Sequence, residues 1–139
     1  MPNAHGDFVW YELMVLDADA AADFYGAVVG WNCKLSDNSG AEGYREWWMG
    51  DAPIGGLLPL SEEMKAGGAH PAWLGYIHVD DVDAQAEKLK AAGANIMMGP
   101  QDIPGVGRFV MILDPQGVAL YVMTDASGET STAFAATEP

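Results

Sequence analysis

The chain carries one pattern twice, and a chain built that way has few ways to fold. The segment Val15-Leu-Asp-Ala-Asp-Ala-Ala-Ala-Asp23-Phe24-Tyr25 returns 64 positions later as Val79-Asp-Asp-Val-Asp-Ala-Gln-Ala-Glu87-Lys-Leu89. In each copy an apolar, strand-like run ends at an acidic cluster and feeds an alanine-rich helix, and each helix stops at a glycine, Gly30 or Gly93. One copy alone would be marginal, because a chain that short buries too little of its own surface. The repeat therefore points to two similar modules paired into one scaffold, with a pocket between its halves.

The pattern around each copy fills in the modules. Residues 8–15 have the β-branched and aromatic content of a strand covered on both faces. The helix after it, residues 18–29, is expected to start at Asp17 or Asp19, to stop at Gly30, and to turn Ala21, Phe24, Tyr25 and Val28 toward a sheet. Strands are predicted at 31–36, 44–49 and 53–60, with a turn at Asp37-Asn38-Ser39-Gly40. The second half reads as strand 72–79, helix 82–92 and strands 94–98, 106–113 and 118–124. Its last two strands flank Asp114-Pro-Gln-Gly117, a hairpin signal with proline at the second turn position. The expected fold is α+β: two tandem β-α-β-β-β modules, residues 8–60 and 72–124, forming a curled mixed sheet, a cup, with the helices outside. Residues 1–139 are read as a single domain, with a linker at 61–71 and a small, polar, mobile tail at 125–139.

Composition removes several function classes. A formal net charge of −14, from 20 acidic against 6 basic residues, opposes binding to nucleic acid, which requires a lysine and arginine footprint. It equally opposes anionic membrane surfaces. No apolar run reaches the roughly 18 residues of a membrane span. The start Met-Pro-Asn-Ala-His-Gly-Asp lacks the basic and apolar regions of a signal peptide, so the expected location is cytoplasmic. A single cysteine, Cys33, excludes an intrachain disulfide and reads as a small strand residue.

Several short motifs add to the paired modules: Asp-x-x-x-x-x-x-Phe-Tyr-Gly at Asp17 to Gly26, Gly30-Trp31, Ile54-Gly-Gly-Leu57 and Asp114-Pro-x-Gly117. Together they resemble the vicinal oxygen chelate superfamily, which includes glyoxalase I, bleomycin-resistance proteins, fosfomycin-resistance enzymes and extradiol dioxygenases. The resemblance covers about residues 8 to 124 and implies the cup-shaped sheet, a homodimer and, in the enzymes, a divalent metal held by His, Glu or Gln on the first and last strands of each module. Carried over by position, those ligand sites fall on Trp10, Leu74, Tyr121 and, within a residue, Gly56. Trp10 and Leu74 stand 64 residues apart, as the repeat requires. Metal binding needs several imidazole or carboxylate groups converging within about 2.0 to 2.6 Å. Trp and Leu supply no donor and Gly only backbone, so no metal and no cofactor are expected here.

Strand alternation gives the pocket its expected lining. If Trp10 faces the cup, so do Phe8, Glu12 and Met14, and by the same parity Leu74, Tyr76 and His78. Trp47 and Trp48 must face opposite sides, one in the core and the other in the pocket, with Trp48 assigned to the pocket beside Tyr121. An aromatic lining with sparse polar groups suits a small organic ligand. Glu12 is either a structural carboxylate bonded to Arg45, Arg108 or a backbone amide, or an acceptor or general base. His78 is either a strand-end histidine at the rim or a proton shuttle paired with Glu12. His5 and His70 read as solvated loop residues. Two functions survive: a metal-independent protein that sequesters a small molecule, and a lyase, isomerase or dioxygenase-type enzyme using Glu12 with His78 or a shifted metal site.

Overall fold

Two aspartates at matching places in the repeat start the two long helices. In the computed structural model, which describes residues 3–36, 43–103 and 106–125, Asp17 caps α1 (Ala18–Val29) by accepting the Ala20 amide at 3.0 Å. Asp81 caps α3 (Val82–Ala91) by accepting the amides of Asp83 and Ala84, both at 3.1 Å. Each carboxylate satisfies amide donors that a helix start leaves without an intrahelical partner. Gly30 ends α1 with a φ of 76°, a left-handed conformation open to glycine.

Around these helices the described residues form strands β1 (Phe8–Val15), β2 (Asn32–Leu35), β3 (Arg45–Met49) and β4 (Ala52–Pro59), a short helix α2 (Glu62–Ala66), and strands β5 (Ala72–His78), β6 (Asn95–Ile103), β7 (Gly107–Leu113) and β8 (Ala119–Asp125). The order is the expected tandem β-α-β-β-β, and the class is α+β. Contacts divide the chain into two compact units, one of residues Trp10–Leu74 and one of the residues from Gly75 onward together with those up to Val9. The division cuts inside β1 and β5, so the N-terminal stretch belongs with the second half. No helix among the described residues is long and apolar enough to cross a membrane.

In the first unit the strands pair in the order β2-β3-β4-β1, with β1 and β4 parallel and the other pairs antiparallel. Leu13, Val15, Trp47 and Leu57 make the buried core together with Ala18 of α1, and Ala21, Ala22 and Tyr25 pack against it. The helix stripe is therefore Ala18, Ala21, Ala22 and Tyr25, a correction to the expected one. Phe24 is 57% exposed and Val28 62% exposed, because the small alanines bring the helix close to the sheet and turn both larger residues outward. Tyr25 is the hub of an aromatic group: its ring lies 5.8 Å from Trp31, 5.5 Å from Trp47 and 5.5 Å from Trp73, and its hydroxyl accepts the Trp73 indole N–H at 3.1 Å.

The second unit repeats the plan as β5-β8-β7-β6, again with the first pair parallel. Val79, Val82, Val110, Ile112 and Val122 form its core, joined by Leu89 of α3. Asp114 shapes the β7–β8 hairpin as its motif predicts, its carboxylate accepting the amides of Gln116 at 2.8 Å and Val118 at 3.0 Å. β6 runs further than expected, to Ile103, because two register irregularities carry it past Gly99 and Pro100. The repeat extends to charge: Arg45 on β3 reaches Asp19 of α1 at 2.8 Å, and Arg108 on β7 reaches Asp83 of α3 at 2.9 and 3.0 Å. The predicted turn at 37–40 and nearly all of the tail lie outside the described residues, and Asp125, the first residue assigned to that tail, closes β8.

Candidate functional site

With Leu13 and Val15 packed toward α1, alternation along β1 turns Trp10, Glu12 and Met14 to the opposite face. Register gives Glu12 its neighbours: it pairs with Gly56 on β4, and Gly56 pairs with Glu46 on β3. Glu12 is 2% exposed and Met14 1% exposed. A carboxylate that deep needs hydrogen bonds to offset lost hydration. Neither arginine supplies them, since Arg45 and Arg108 are held at the first turns of the helices. The partner is Tyr44, a residue that sequence reasoning missed: its hydroxyl donates to Glu12 and accepts the Trp10 indole N–H at 3.2 Å.

Gly56 makes this relay possible. A Cβ there would overlap the Tyr44 hydroxyl and lie 2.5 Å from its Cζ, so the phenol occupies the space that any side chain at position 56 would need. Gly55 is a second close approach, where a Cβ would stand 2.8 Å from the Tyr11 carbonyl oxygen. Both glycines of Ile54-Gly-Gly-Leu57 are thus required by packing. Burial, then the Glu12 charge, hold the Tyr44 hydroxyl proton far more tightly than in an ordinary phenol, although the Trp10 bond acts in the other direction.

This shift has an alkaline consequence. A group whose folded pKa is raised contributes stability that is complete below its unfolded value and is lost as pH rises beyond it, here from about pH 10 upward. In a spectrophotometric titration of the folded protein, Tyr44 is expected to stay silent through the ordinary phenol range. The Tyr44→Phe variant should then show the same tyrosinate amplitude near pH 10 as the wild type. A smaller amplitude in the variant would show that Tyr44 ionises normally.

Trp47 and Trp48 separate as alternation requires. Trp47 is fully buried in the core, whereas Trp48 is half-buried, with the Lys34 ammonium 4.2 Å from its ring centroid. Leu74 is 3% exposed. In the second unit Tyr76 pairs in register with Tyr121, matching Glu12 with Gly56 in the first, and the two phenol rings stack face to face at 4.1 Å with Phe109 beside them. His78, the last residue of β5, is 8% exposed, with Nδ1 3.5 Å from Asp125 and Nε2 3.7 Å from Asp80. His5 and His70 are exposed loop residues, though His5 Nδ1 accepts the Asp80 amide at 3.3 Å.

The positions to which the resemblance assigns metal ligands do not fit a metal. The Trp10 ring nitrogen is a donor already committed to Tyr44, Gly56 has no side chain and a phenol above it, Leu74 has no donor atom, and Tyr121 is locked in a stack. Among the described residues no group of three or more His, Cys, Asp and Glu side chains is arranged to hold a metal ion.

The duplicated β-α-β-β-β unit with this glycine pair defines a class. The sequence matches the Glyoxalase/Bleomycin resistance protein/Dioxygenase superfamily over residues 7–122, and the chain belongs to that superfamily. It is 39% identical over 124 residues to the protein named "Putative glyoxylase CFP32" in Mycobacterium bovis and in Mycobacterium tuberculosis, covering 89% of this chain and 46% of that protein. The chain therefore spans about half the length of the curated relatives it matches. Among solved structures, a variant of Streptomyces coelicolor methylmalonyl-CoA epimerase in complex with 2-nitronate-propionyl-CoA has a TM-score of 0.60 at 20% identity, covering 91% of this chain and 99% of that one. The Mn(II)-bound glyoxalase from Novosphingobium aromaticivorans has a TM-score of 0.59 at 19% identity, covering 90% of this chain and 40% of that one. At these identities the likeness is one of fold.

Proposed function

We propose that this chain binds a small organic molecule without a metal ion, and that Glu12 is the residue that orients the ligand. The observation that carries this reading is the Trp10–Tyr44–Glu12 relay over Gly56, which puts a phenol where a ligating side chain would stand and holds a buried carboxylate in one place. A carboxylate is an acceptor with room for more than one donor, so the ligand that suits it has an N–H or O–H group on a flat, apolar body. Trp10 and Trp48, each partly exposed in the same unit, supply apolar surface beside it. A homodimer in the cytoplasm completes the proposal.

A thermal-shift screen of planar amines and phenols tests it, because a ligand that binds the folded state raises Tm by mass action. For a compound that donates to Glu12, Glu12→Gln is expected to weaken binding by about tenfold or more, the size of a hydrogen bond to a charged group. Unchanged affinity for every compound that binds would remove Glu12 from the reading.

A second reading is favoured by the 39% identity to a protein named a glyoxylase. In it the chain is a lyase, isomerase or dioxygenase-type enzyme in which Glu12, positioned by Tyr44, moves a proton. Turnover of a substrate that vanishes in Glu12→Gln while binding persists would favour that reading over sequestration.

A further inference from the structure

The sheet face that carries Glu12 holds a second carboxylate, and register places it. Trp47 packs into the first unit's core, so its neighbour on β3, Glu46, lies on the opposite face. Glu46 pairs with Gly56, and Gly56 with Glu12, so the three positions form one row across β3, β4 and β1. Two strand spacings, about 9 to 10 Å, separate the two glutamates along that row. The middle position has no side chain, and the Tyr44 hydroxyl fills the space above it. Burial first, then Glu12 and, more weakly, Glu46 raise the pKa of that hydroxyl against the Trp10 bond, so the Glu46 charge is felt at the phenol.

Glu46 is only partly buried, and the cations beside it are drawn elsewhere. Lys34 on β2 stands directly opposite it in register, where opposite charges ordinarily pair across strands. The Lys34 ammonium lies over the Trp48 ring instead, 4.2 Å from its centroid. Arg45, the preceding residue on β3, turns to the helix side and pairs with Asp19 at 2.8 Å. Among the described residues no lysine, arginine or histidine is ion-paired with Glu46. The face therefore offers two carboxylates with a phenol between them and two partly exposed indoles, Trp10 and Trp48.

We propose that Glu46 is a specificity-determining residue of this face and selects a dication: a flat body with a protonated nitrogen at each end, one donating to Glu12 and the other to Glu46. The inference rests on the reading of Glu12 as the residue that orients the ligand, and adds the ligand's charge and length. A ligand with one cationic end satisfies one carboxylate and leaves the other to water. A ligand with two spans the row and gains a second charge-assisted hydrogen bond. Its flat body suits the indoles, whose faces attract both rings and cations.

Calorimetric titration of the full chain with para-xylylenediamine and para-methylbenzylamine, which share a ring and differ by one ammonium, tests the proposal. The wild type is expected to bind the diamine about tenfold or more tightly than the monoamine, the scale of one hydrogen bond to a charged group. Glu46→Gln should bring the diamine down to the monoamine's affinity and leave the monoamine unchanged. Glu63→Gln, which removes an exposed carboxylate from α2, should keep the preference, because general acidity does not create it. A wild type that binds the diamine no better than the monoamine, a preference that survives Glu46→Gln, or an equal loss in Glu63→Gln would overturn the proposal. Glu12→Gln distinguishes that failure from failure of the reading beneath it. If it weakens both compounds while Glu46→Gln changes neither, Glu12 keeps its role and the dication is wrong; if it weakens neither, the Glu12 reading fails and the proposal with it.

Discussion

Replacing Trp47 by alanine is expected to cost about 3 to 5 kcal/mol, a large share of the roughly 5 to 15 kcal/mol that holds a domain of this size together. Trp47 is fully buried, lies at the centre of the first unit's core with Leu13, Val15 and Leu57, and carries aromatic contacts to Tyr25 and Trp31 at 5.5 and 5.6 Å. Among the described residues its indole N–H has no hydrogen-bond partner, so the residue contributes through volume and contact. Two comparisons separate volume from polarity. Trp47→Phe keeps most of the ring and removes an unsatisfied donor, and should cost less than half as much. Trp48→Ala, one residue on and half-buried, should cost about 1 kcal/mol. Urea unfolding of the three variants checks the order, and equal losses at 47 and 48 would contradict the assignment of the two tryptophans to opposite faces.

The second large effect belongs to Gly56. In Gly56→Val the new side chain collides with the Tyr44 phenol, which must leave the space above β4 and give up its bonds to Trp10 and Glu12. Overpacking of this kind costs about 1 to 3 kcal/mol, and the loss of a hydrogen bond to a buried carboxylate adds about 1.5 to 3. The cause can be isolated by a double-mutant cycle. Once Tyr44→Ala has vacated the space, Gly56→Val should cost little further. Full additivity would show that the glycine is needed for a reason other than the phenol.

The sequence carried the scaffold because the repeat is written in features that are local. Caps such as Asp17 and Asp81, the stop at Gly30, and the Asp114 turn each act within a few residues, and each is where its motif predicts, whereas α3 is closed by Ala92, one residue before the expected Gly93. Alternation groups Glu12 with Met14 on β1 and Leu74 with Tyr76 and His78 on β5 as pocket-facing sets, and in the structure all five are buried. What escaped was pairwise and distant. Tyr44 reaches Glu12 across 32 positions, and nothing in the chain near Glu12 announces a phenol. The clue lay in Ile54-Gly-Gly-Leu57: a glycine in mid-strand signals that something large stands over it. His78 likewise found Asp125, a residue whose small, polar neighbourhood read as the start of a tail. The α1 stripe failed for a third reason. Hydrophobicity favoured Phe24 and Val28, but close packing against the sheet selected the alanines.

We propose that this chain binds its ligand without a metal ion. Elemental analysis tests it most directly: the chain is incubated with Mn²⁺, Fe²⁺, Ni²⁺ or Zn²⁺, freed of loose ion by gel filtration, and measured for metal per chain. The arrangement of Trp10, Tyr44, Gly56 and Leu74 predicts far less than one ion per chain for every metal. One ion per chain, lost in Glu12→Gln, would contradict the account and make Glu12 a metal ligand.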